Sequence, residues 1–254
     1  MKIGISVLPE FESVAESVAI ARELGIDFVE LNAEYPICLP DKIKKDEKIY
    51  FTVHLFEKAE VGLLYEPARW AEIDVLKRLM TEYKDKAAVR RFNLHINRGV
   101  FTTMPDKIIF VHERFNQDYL VACRKSFKEL SDFAVANDFE ICFENYKVTD
   151  CILGTFKEII NFPNLYYTLD FGHDMVTGKR ASAQFMETPE KIRHVHLHDV
   201  VDGADHRELG TGIVDVKAVL DFCRNNNTDI VVEVRRKEQL TNSIVYLKNL
   251  LESV

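Results

Sequence analysis

The chain has 254 residues, 47% of them hydrophobic, and its 33 basic against 41 acidic residues give a formal net charge of −8. This length and apolar content can bury one large core, so we expect a single domain over residues 1–254. The acidic balance disfavours nucleic acid as a partner, because proteins that bind DNA usually present a basic surface.

The cysteines and the N-terminus indicate the compartment. Five cysteines are scattered without a Cys-x-x-Cys pair, which is typical of reduced thiols. The chain starts directly with a strand pattern instead of a signal peptide, and no apolar run is long enough to span a bilayer. We therefore predict a soluble cytoplasmic protein without a membrane partner, either a monomer or a homodimer.

Short apolar runs rich in β-branched and aromatic residues recur along the chain, and a segment with helical periodicity or helix caps follows each of them. The eight predicted strands are Lys2–Val7, Asp27–Asn32, Tyr50–Phe56, Val89–Ile96, Phe139–Glu144, Tyr166–Asp170, Arg193–His198 and Asp229–Arg235. Several are apolar on both faces, as strands covered by helices must be. Eight alternations of strand and helix predict the α/β class and a single (β/α)8 TIM barrel.

Capping signals set the predicted helix limits. Ser13-Val-Ala-Glu16 has the pattern of a capping box that opens a helix over 14–24, and Gly25 suits the left-handed position after it. The other predicted helices are 67–86, Gln117–Ala136, one opened by a second capping box at Thr155-Phe-Lys-Glu158, Val216–Asn225 behind an Asp215 cap, and Gln239–Leu251. Residues 97–107, after the fourth strand, are either a lid over a small polar ligand or a packed surface loop.

Imidazoles and carboxylates stand at the ends of six of the eight predicted strands, although strand interiors usually exclude charge. They are His54, His95, Glu144, Asp170 with His173, His196, and Glu233. In a (β/α)8 barrel the active site lies at the C-terminal ends of the strands, so these side chains should converge. A single strand-end carboxylate is more often a helix cap, but convergence favours a divalent metal, and mixed His, Asp and Glu donors suit Zn, Mn, Fe or Co.

Three histidines alternate along the seventh strand and should share one face, because side chains repeat every two residues in a strand. They are His194, His196 and His198. If His196 lies at the rim, His194 lies one layer deeper and is predicted to be structural, while the role of His198 is left open. His112, in charged surroundings, is predicted to lie at the surface.

Four segments resemble successive strand-end motifs of the xylose-isomerase-like barrel superfamily, in the expected order. They are Phe-Glu-Asn at 143–145, Leu-Asp-Phe-Gly-His at 169–173, His-Leu-His-Asp at 196–199 and His-Arg-Glu-Leu-Gly-Thr-Gly-Ile-Val-Asp at 206–215. The superfamily holds sugar isomerases and epimerases together with apurinic endonucleases of the endonuclease IV type. The combination is specific for the superfamily and much less specific for the substrate.

The likeness to sugar epimerases implies one divalent metal ion (Mn, Zn, Mg or Co) held by Glu144, Asp170, His196 and Glu233. It also implies that His173 and Arg207 face the substrate. Isomerising a ketose requires removal of a proton next to a carbonyl, and a metal that chelates the sugar oxygens stabilises the resulting enediolate. Glu144 and Glu233 are accordingly predicted to be the catalytic acid and base as well as ligands.

Two other functions stay open. An endonuclease IV type enzyme uses three zinc ions on abasic DNA, and His54, His95, His173 and His206 match histidines of that cluster. These four, with Arg207, are therefore predicted to be substrate contacts or ligands of additional metal ions. Against this enzyme, Ala204 stands where its aspartate is expected, and the first strand lacks its histidine and glycine.

The second alternative is a non-catalytic barrel that binds a sugar or a metal, since ligation and binding use the same side chains. Whether the sugar is phosphorylated is also open. Arg98, Lys147 and Arg207 could contact a phosphate, but none lies in a recognisable phosphate-binding loop.

Overall fold

The computed structural model describes residues 1–252. Its strands, in chain order, are β1 (Ile3–Ser6), β2 (Phe28–Asn32), β3 (Tyr50–His54), β4 (Arg91–His95), β5 (Phe101–Thr103), β6 (Ile108–Phe110), β7 (Glu140–Glu144), β8 (Leu165–Asp170), β9 (Ile192–Leu197), β10 (Asp199–Val201), β11 (Ala204–Arg207) and β12 (Asp229–Val232). Eight of them form a closed barrel of parallel strands in the order β1, β2, β3, β4, β7, β8, β9, β12. The predicted (β/α)8 barrel is confirmed, and each predicted strand overlaps one strand of the barrel.

Helices cover the outside of the barrel. They are α1 (Val14–Glu23), α2 (Glu66–Ala87), α3 (Val111–Arg114), α4 (Asn116–Asn137), α5 (Asp150–Ile159), α6 (Phe171–Val176), α7 (Arg180–Phe185), α8 (Val216–Asn226) and α9 (Lys237–Glu252), with 3-10 turns at Pro36–Cys38, Pro40–Lys42 and Pro189–Lys191. The apolar faces of strands and helices form one continuous buried core between the two layers. No helix within residues 1–252 is long and apolar enough to cross a membrane.

Two of the four predicted caps are confirmed. Gly25 has a left-handed φ of 57° after α1, and the carboxylate of Asp215 accepts a hydrogen bond from Ala218 N at 3.0 Å. Helix α1 begins directly after Ser13 as predicted, but the Ser13 side chain makes no capping hydrogen bond, and Glu16 Oε1 accepts from Glu12 N. The capping box at Thr155 is wrong, because α5 begins five residues earlier, behind Thr149, whose hydroxyl accepts from Ile152 N. Thr155 lies inside this helix.

The two ends of the barrel differ in chemistry. At the N-terminal end of the barrel, Arg91 forms ion pairs with two carboxylates. Its Nε lies 2.8 Å from Glu140 Oε2 and its Nη1 lies 2.9 Å from Asp229 Oδ2. These charges are paired with each other, which suits a stabilising role. The unpaired donors gather at the C-terminal end, where loops and two hairpins follow the strands.

The excursion after β4 is a β5–β6 hairpin that lies outside the main cavity of the barrel. Phe101 and Ile108 are more than half exposed, and none of residues 97–110 lines the cavity within the described chain. The surface-loop alternative therefore fits this segment better than the lid. The prediction that His112 is at the surface is wrong, since its ring is buried and stacks on Tyr119 with centroids 4.1 Å apart.

Candidate metal centre and active site

A polar cavity of about 380 Å³ opens at the C-terminal end of the barrel. Of the residues singled out from the sequence, its lining includes His54, His95, Glu144, His173, His206 and Glu233. These side chains come from strands that are distant in sequence, and only closure of the sheet brings them together. The cavity lies where barrels of this type hold their active sites.

Glu144, Asp170, His196 and Glu233 form a compact group of donors, each offering one ligand atom within 4.8 Å of the others. Nδ1 of His196 is 3.1 Å from Glu144 Oε2, 3.0 Å from Glu233 Oε2 and 3.9 Å from Asp170 Oδ2. The strand ends thus place the four predicted ligands around one point. All are buried except Glu233, whose side chain is 27% exposed and faces the cavity.

The electrostatics of this group fit a divalent cation. Three carboxylates surround one imidazole, and neither ring nitrogen of His196 makes a well-aligned hydrogen bond. Burial lowers the pKa of His196, but the neighbouring Glu144, Glu30 and Glu233 outweigh burial and raise it well above its ordinary value. The site therefore demands positive charge at its centre, and carboxylate and imidazole donors suit Zn, Mn or Co.

His54, His95 and Glu144 form a second group of three donors beside the first. The Nε2 atoms of the two histidines are 3.3 Å apart, and each lies about as close to a Glu144 oxygen, at 3.5 and 3.4 Å. Nδ1 of His54 donates to the Leu55 carbonyl at 2.8 Å, so in the neutral ring the Nε2 lone pair is available to a cation held beside Glu144. Glu144 belongs to both groups and could bridge two cations.

Two buried side chains in the barrel interior hold the Glu144 carboxylate through a chain of hydrogen bonds. Asn93 Nδ2 donates to Glu144 Oε2, and Thr168 Oγ1 donates to Asn93 Oδ1 at 2.7 Å. All three side chains are buried, so the shared carboxylate cannot turn without breaking bonds that water would not replace.

His173, His198 and His206 form a third group around Asp170. His198 Nδ1 accepts from His206 N at 2.8 Å, so its proton lies on Nε2, which donates to Asp170 Oδ2 at 3.1 Å. The role of His198 left open by the sequence is thus that of a side chain orienting Asp170. His173 has its Nδ1 3.3 Å from Asp205 Oδ2, so the aspartate next to Ala204 reaches this group.

Glu30 is the functional candidate that the sequence reasoning missed. It is 3% exposed, and its two oxygens lie 2.8 Å from His196 Nε2 and 2.8 Å from His194 Nε2. His194 therefore lies one layer below the metal group, against Glu30. The signal was present in the sequence, because a glutamate stands in the middle of the apolar strand Phe-Val-Glu-Leu-Asn at 28–32.

The predicted cationic residues occupy three different places. Lys147 lines the cavity, while Arg98 stacks on Phe110 at 3.6 Å outside it. Arg207 is exposed on β11 and lines a neighbouring depression instead of the cavity. Arg235, which the sequence reasoning did not select, lines both.

Comparisons with known proteins identify the family and the fold. A model of the xylose isomerase-like TIM barrel family matches residues 18–250. A search among curated proteins gave no significant match. Among solved structures, a D-tagatose 3-epimerase-like protein is 21% identical with a TM-score of 0.80, the alignment covering 100% of this chain and 98% of that one.

Two further structures share the fold over nearly their whole length. The 3-keto-D-glucoside 4-epimerase YcjR from E. coli is 18% identical with a TM-score of 0.78, covering 99% of both chains. The IOLI protein with a binding zinc atom is 17% identical with a TM-score of 0.71, covering 100% of this chain and 96% of that one. Because the family model matches most of its length, this chain belongs to the xylose isomerase-like TIM barrel family.

Proposed function

We propose that this protein is a divalent-metal-dependent isomerase or epimerase of a small sugar or sugar phosphate. The observation that carries the proposal is the pair Glu144 and Glu233, both about 3 Å from His196 Nδ1. They come from β7 and from the end of β12, with β8 and β9 between them, so the two carboxylates approach the centre from different parts of the rim.

The four donors Glu144, Asp170, His196 and Glu233 would hold the metal. When bound there, a divalent cation supplies positive charge that favours negative charge on a neighbouring substrate oxygen. Glu144 and Glu233 then have the geometry to remove and return a proton next to a carbonyl, one acting as base and the other as acid. Asn93 holds Glu144 in place, while Glu233 has more freedom at the cavity wall.

The structural neighbours support this class of reaction. Two are described as a D-tagatose 3-epimerase-like protein and a 3-keto-D-glucoside 4-epimerase, and a third holds zinc. Their low sequence identity gives the fold alone, so the proposal depends on the donor group described above.

The test is exchange of the proton next to the carbonyl of small ketoses in deuterated water, with the metal found by elemental analysis supplied. Glu144→Gln is expected to lose about 100-fold or more of the exchange rate while metal remains bound. Glu57→Gln, which removes another carboxylate from the same cavity lining, is the matched control and should keep its rate. Full turnover in Glu144→Gln would refute the acid–base assignment, and a ketose panel without any exchange would favour a non-catalytic binder.

One observation favours the endonuclease IV type as a second candidate. The groups around His54 and His95, and around His173 and Asp205, offer more donors than one metal ion needs. Elemental analysis separates the two candidates, since about one tightly held ion fits the epimerase. Three zinc ions per chain together with nicking of an abasic duplex would establish the nuclease.

The proposal places the enzyme in the cytoplasm. All five cysteines are free and buried, in keeping with a reducing compartment. The predictions of a single domain and of a monomer or homodimer stay predictions, as does the identity of the metal.

A further inference from the structure

A second depression adjoins the main cavity on the side of β11 and β12. The two share Pro9, Asp205, His206 and Arg235, so a molecule in the cavity can extend into the depression without crossing a wall. The depression is lined by three arginines, which are Arg207, Arg235 and Arg236.

Within residues 1–252 these arginines have no carboxylate partner, as is also true of Arg78, Arg114 and Arg193, but they differ from those in lying together in one depression. Within residues 1–252 none of the three forms an ion pair, whereas ion pairs engage eight others: Arg22, Arg69, Arg90, Arg91, Arg98, Arg124, Arg180 and Arg224. In a chain with a net charge of −8, carboxylates are plentiful. Three unpaired guanidinium groups in one depression therefore form a local positive field against the overall charge.

The two carboxylates of the depression are already engaged. Glu10 accepts a hydrogen bond from Lys237 N, the first amide of α9, and Asp205 lies 3.3 Å from His173 Nδ1. The Glu10 contact also shows that the N-terminus of α9, which favours negative charge, lies beside the depression. Both acids keep their negative charge, but within the described residues neither forms an ion pair with the arginines, and three guanidinium groups against two carboxylates leave the lining with a net positive charge.

One segment, β11, serves both spaces. His206 has a left-handed φ of 52°, so strict strand alternation does not hold here, and the contacts of the two side chains show their positions: His206 lines both spaces, whereas Arg207 lines the depression alone. The buried His206 ring stacks on His198 with centroids 4.1 Å apart, at the wall of the cavity. The exposed Arg207 accordingly faces the depression.

We propose that Arg207, Arg235 and Arg236 form an anion subsite that binds a phosphate carried by the substrate, at the end away from the reacting carbon. The substrate class is then a phosphorylated open-chain ketose, an inference that rests on the proposed function. Guanidinium groups bind phosphate through paired hydrogen bonds, and three of them offer donors to its several oxygens.

Calorimetric titration of the metal-loaded protein with inorganic phosphate tests the subsite. The double variant Arg235→Gln/Arg236→Gln is expected to weaken phosphate binding about tenfold or more, because each lost charged hydrogen bond alone has about that effect. Arg78→Gln removes an exposed arginine from α2 and should bind phosphate as the wild type does. Equal affinities in the wild type and the double variant, or no phosphate binding at all, would overturn the subsite.

A second titration asks whether the phosphate belongs to the substrate. Fructose 6-phosphate is expected to displace inorganic phosphate and to bind about tenfold tighter than fructose, with the preference lost in the double variant. Equal binding of the two sugars would show a site for free phosphate only and would overturn the substrate assignment. Neither titration needs turnover for its readout, so absence of proton exchange would refute the proposed reaction and leave the subsite standing.

Discussion

Glu30 contacts His196, the predicted metal ligand, from deeper in the barrel, and replacement of Glu30 tests whether it orients that ligand. Its carboxylate contacts His196 and His194 and accepts a hydrogen bond from Thr52 at 3.2 Å. Such a carboxylate orients the imidazole and increases its basicity toward a metal. Glu30→Gln is expected to weaken divalent metal binding about 10- to 100-fold, measured by competition with a chromophoric chelator.

The melting temperature of the metal-free protein serves as the check on Glu30→Gln. Glu57→Gln removes a carboxylate from the cavity wall without contacting His196 and should keep the wild-type metal affinity. If Glu30→Gln lowered the melting temperature but kept the metal affinity of the wild type, the role of Glu30 would be structural only.

Single residues were predictable from the sequence where a strand end determines the direction of the side chain. Glu144, Asp170 and His196 end their strands or lie one residue before the end, so barrel closure brings them together. Glu30 lies two residues before the end of β2, and its contact with His196 depends on how the two strands face each other across the barrel. Arg207 follows His206, whose left-handed φ of 52° interrupts the strand geometry, so the outward position of Arg207 cannot be read from the sequence.

At the scale of elements, Asp199 of β10 organises the loop between β11 and α8. Its carboxylate accepts backbone hydrogen bonds from Val200 N, Gly210 N, Gly212 N and Val214 N at 2.8 to 3.0 Å. Gly212 is required at closest approach, because a Cβ there would lie 2.1 Å from the Val200 carbonyl oxygen and 2.4 Å from Asp199 Oδ1. The loop therefore depends on a glycine for space and on an aspartate for its bonds.

Gly212→Ala is expected to lower the free energy of unfolding by about 1–3 kcal/mol, measured by chemical denaturation, because backbone atoms must move to admit the methyl group. Gly154→Ala is the matched control. It lies in α5 with only Leu120 near, at 3.9 Å, and alanine favours a helix, so this change should be neutral or stabilising. If the Gly212 variant and the wild type had equal free energies of unfolding, the loop backbone could move to admit the methyl group without loss of stability.

The strands that the sequence analysis missed are among the shortest ones. The hairpin strands β5 and β10 have three residues each, too few to display an alternation, and both escaped prediction. Thr155 shows the opposite failure, since a capping-box pattern occurs inside a helix where the threonine hydroxyl donates to the Cys151 carbonyl at 3.0 Å instead. The sequence does carry a signal for the true start of α5, since threonine is favoured at N-caps and Thr149 caps this helix.

For the whole molecule, the barrel was predictable because each strand must be buried on both faces and each helix on one. Strand-type and helix-type apolar patterns therefore alternate over the entire chain, and an error in one short segment does not change the predicted fold. The strand order could be predicted because consecutive parallel strands lie side by side in such a barrel. The positions of charged side chains between the barrel and the helices could not be predicted, since they depend on packing between distant segments.

Glu60 provides a test of such a charge at the level of overall stability. It is half-buried in the loop before α2, where burial and then the charge of Glu72 raise its pKa from 4.5 to about 7. Between pH 4.5 and 7 the folded protein retains a proton that the unfolded chain has lost. The free energy of unfolding therefore falls as pH rises through this window, and the penalty is complete above pH 7.

Glu60→Gln removes the penalty, since an amide cannot ionise. With a discount for partial exposure to solvent, the variant is expected to exceed the wild type by about 1–2 kcal/mol in free energy of unfolding above pH 8, and by much less at about pH 5. Urea denaturation across this range measures both curves, and Glu47→Gln, at an exposed position, should follow the wild type at each pH. A Glu60 difference that is constant with pH would show that the variant changes packing and not the cost of ionisation, because only ionisation makes the gap widen as the solution becomes alkaline.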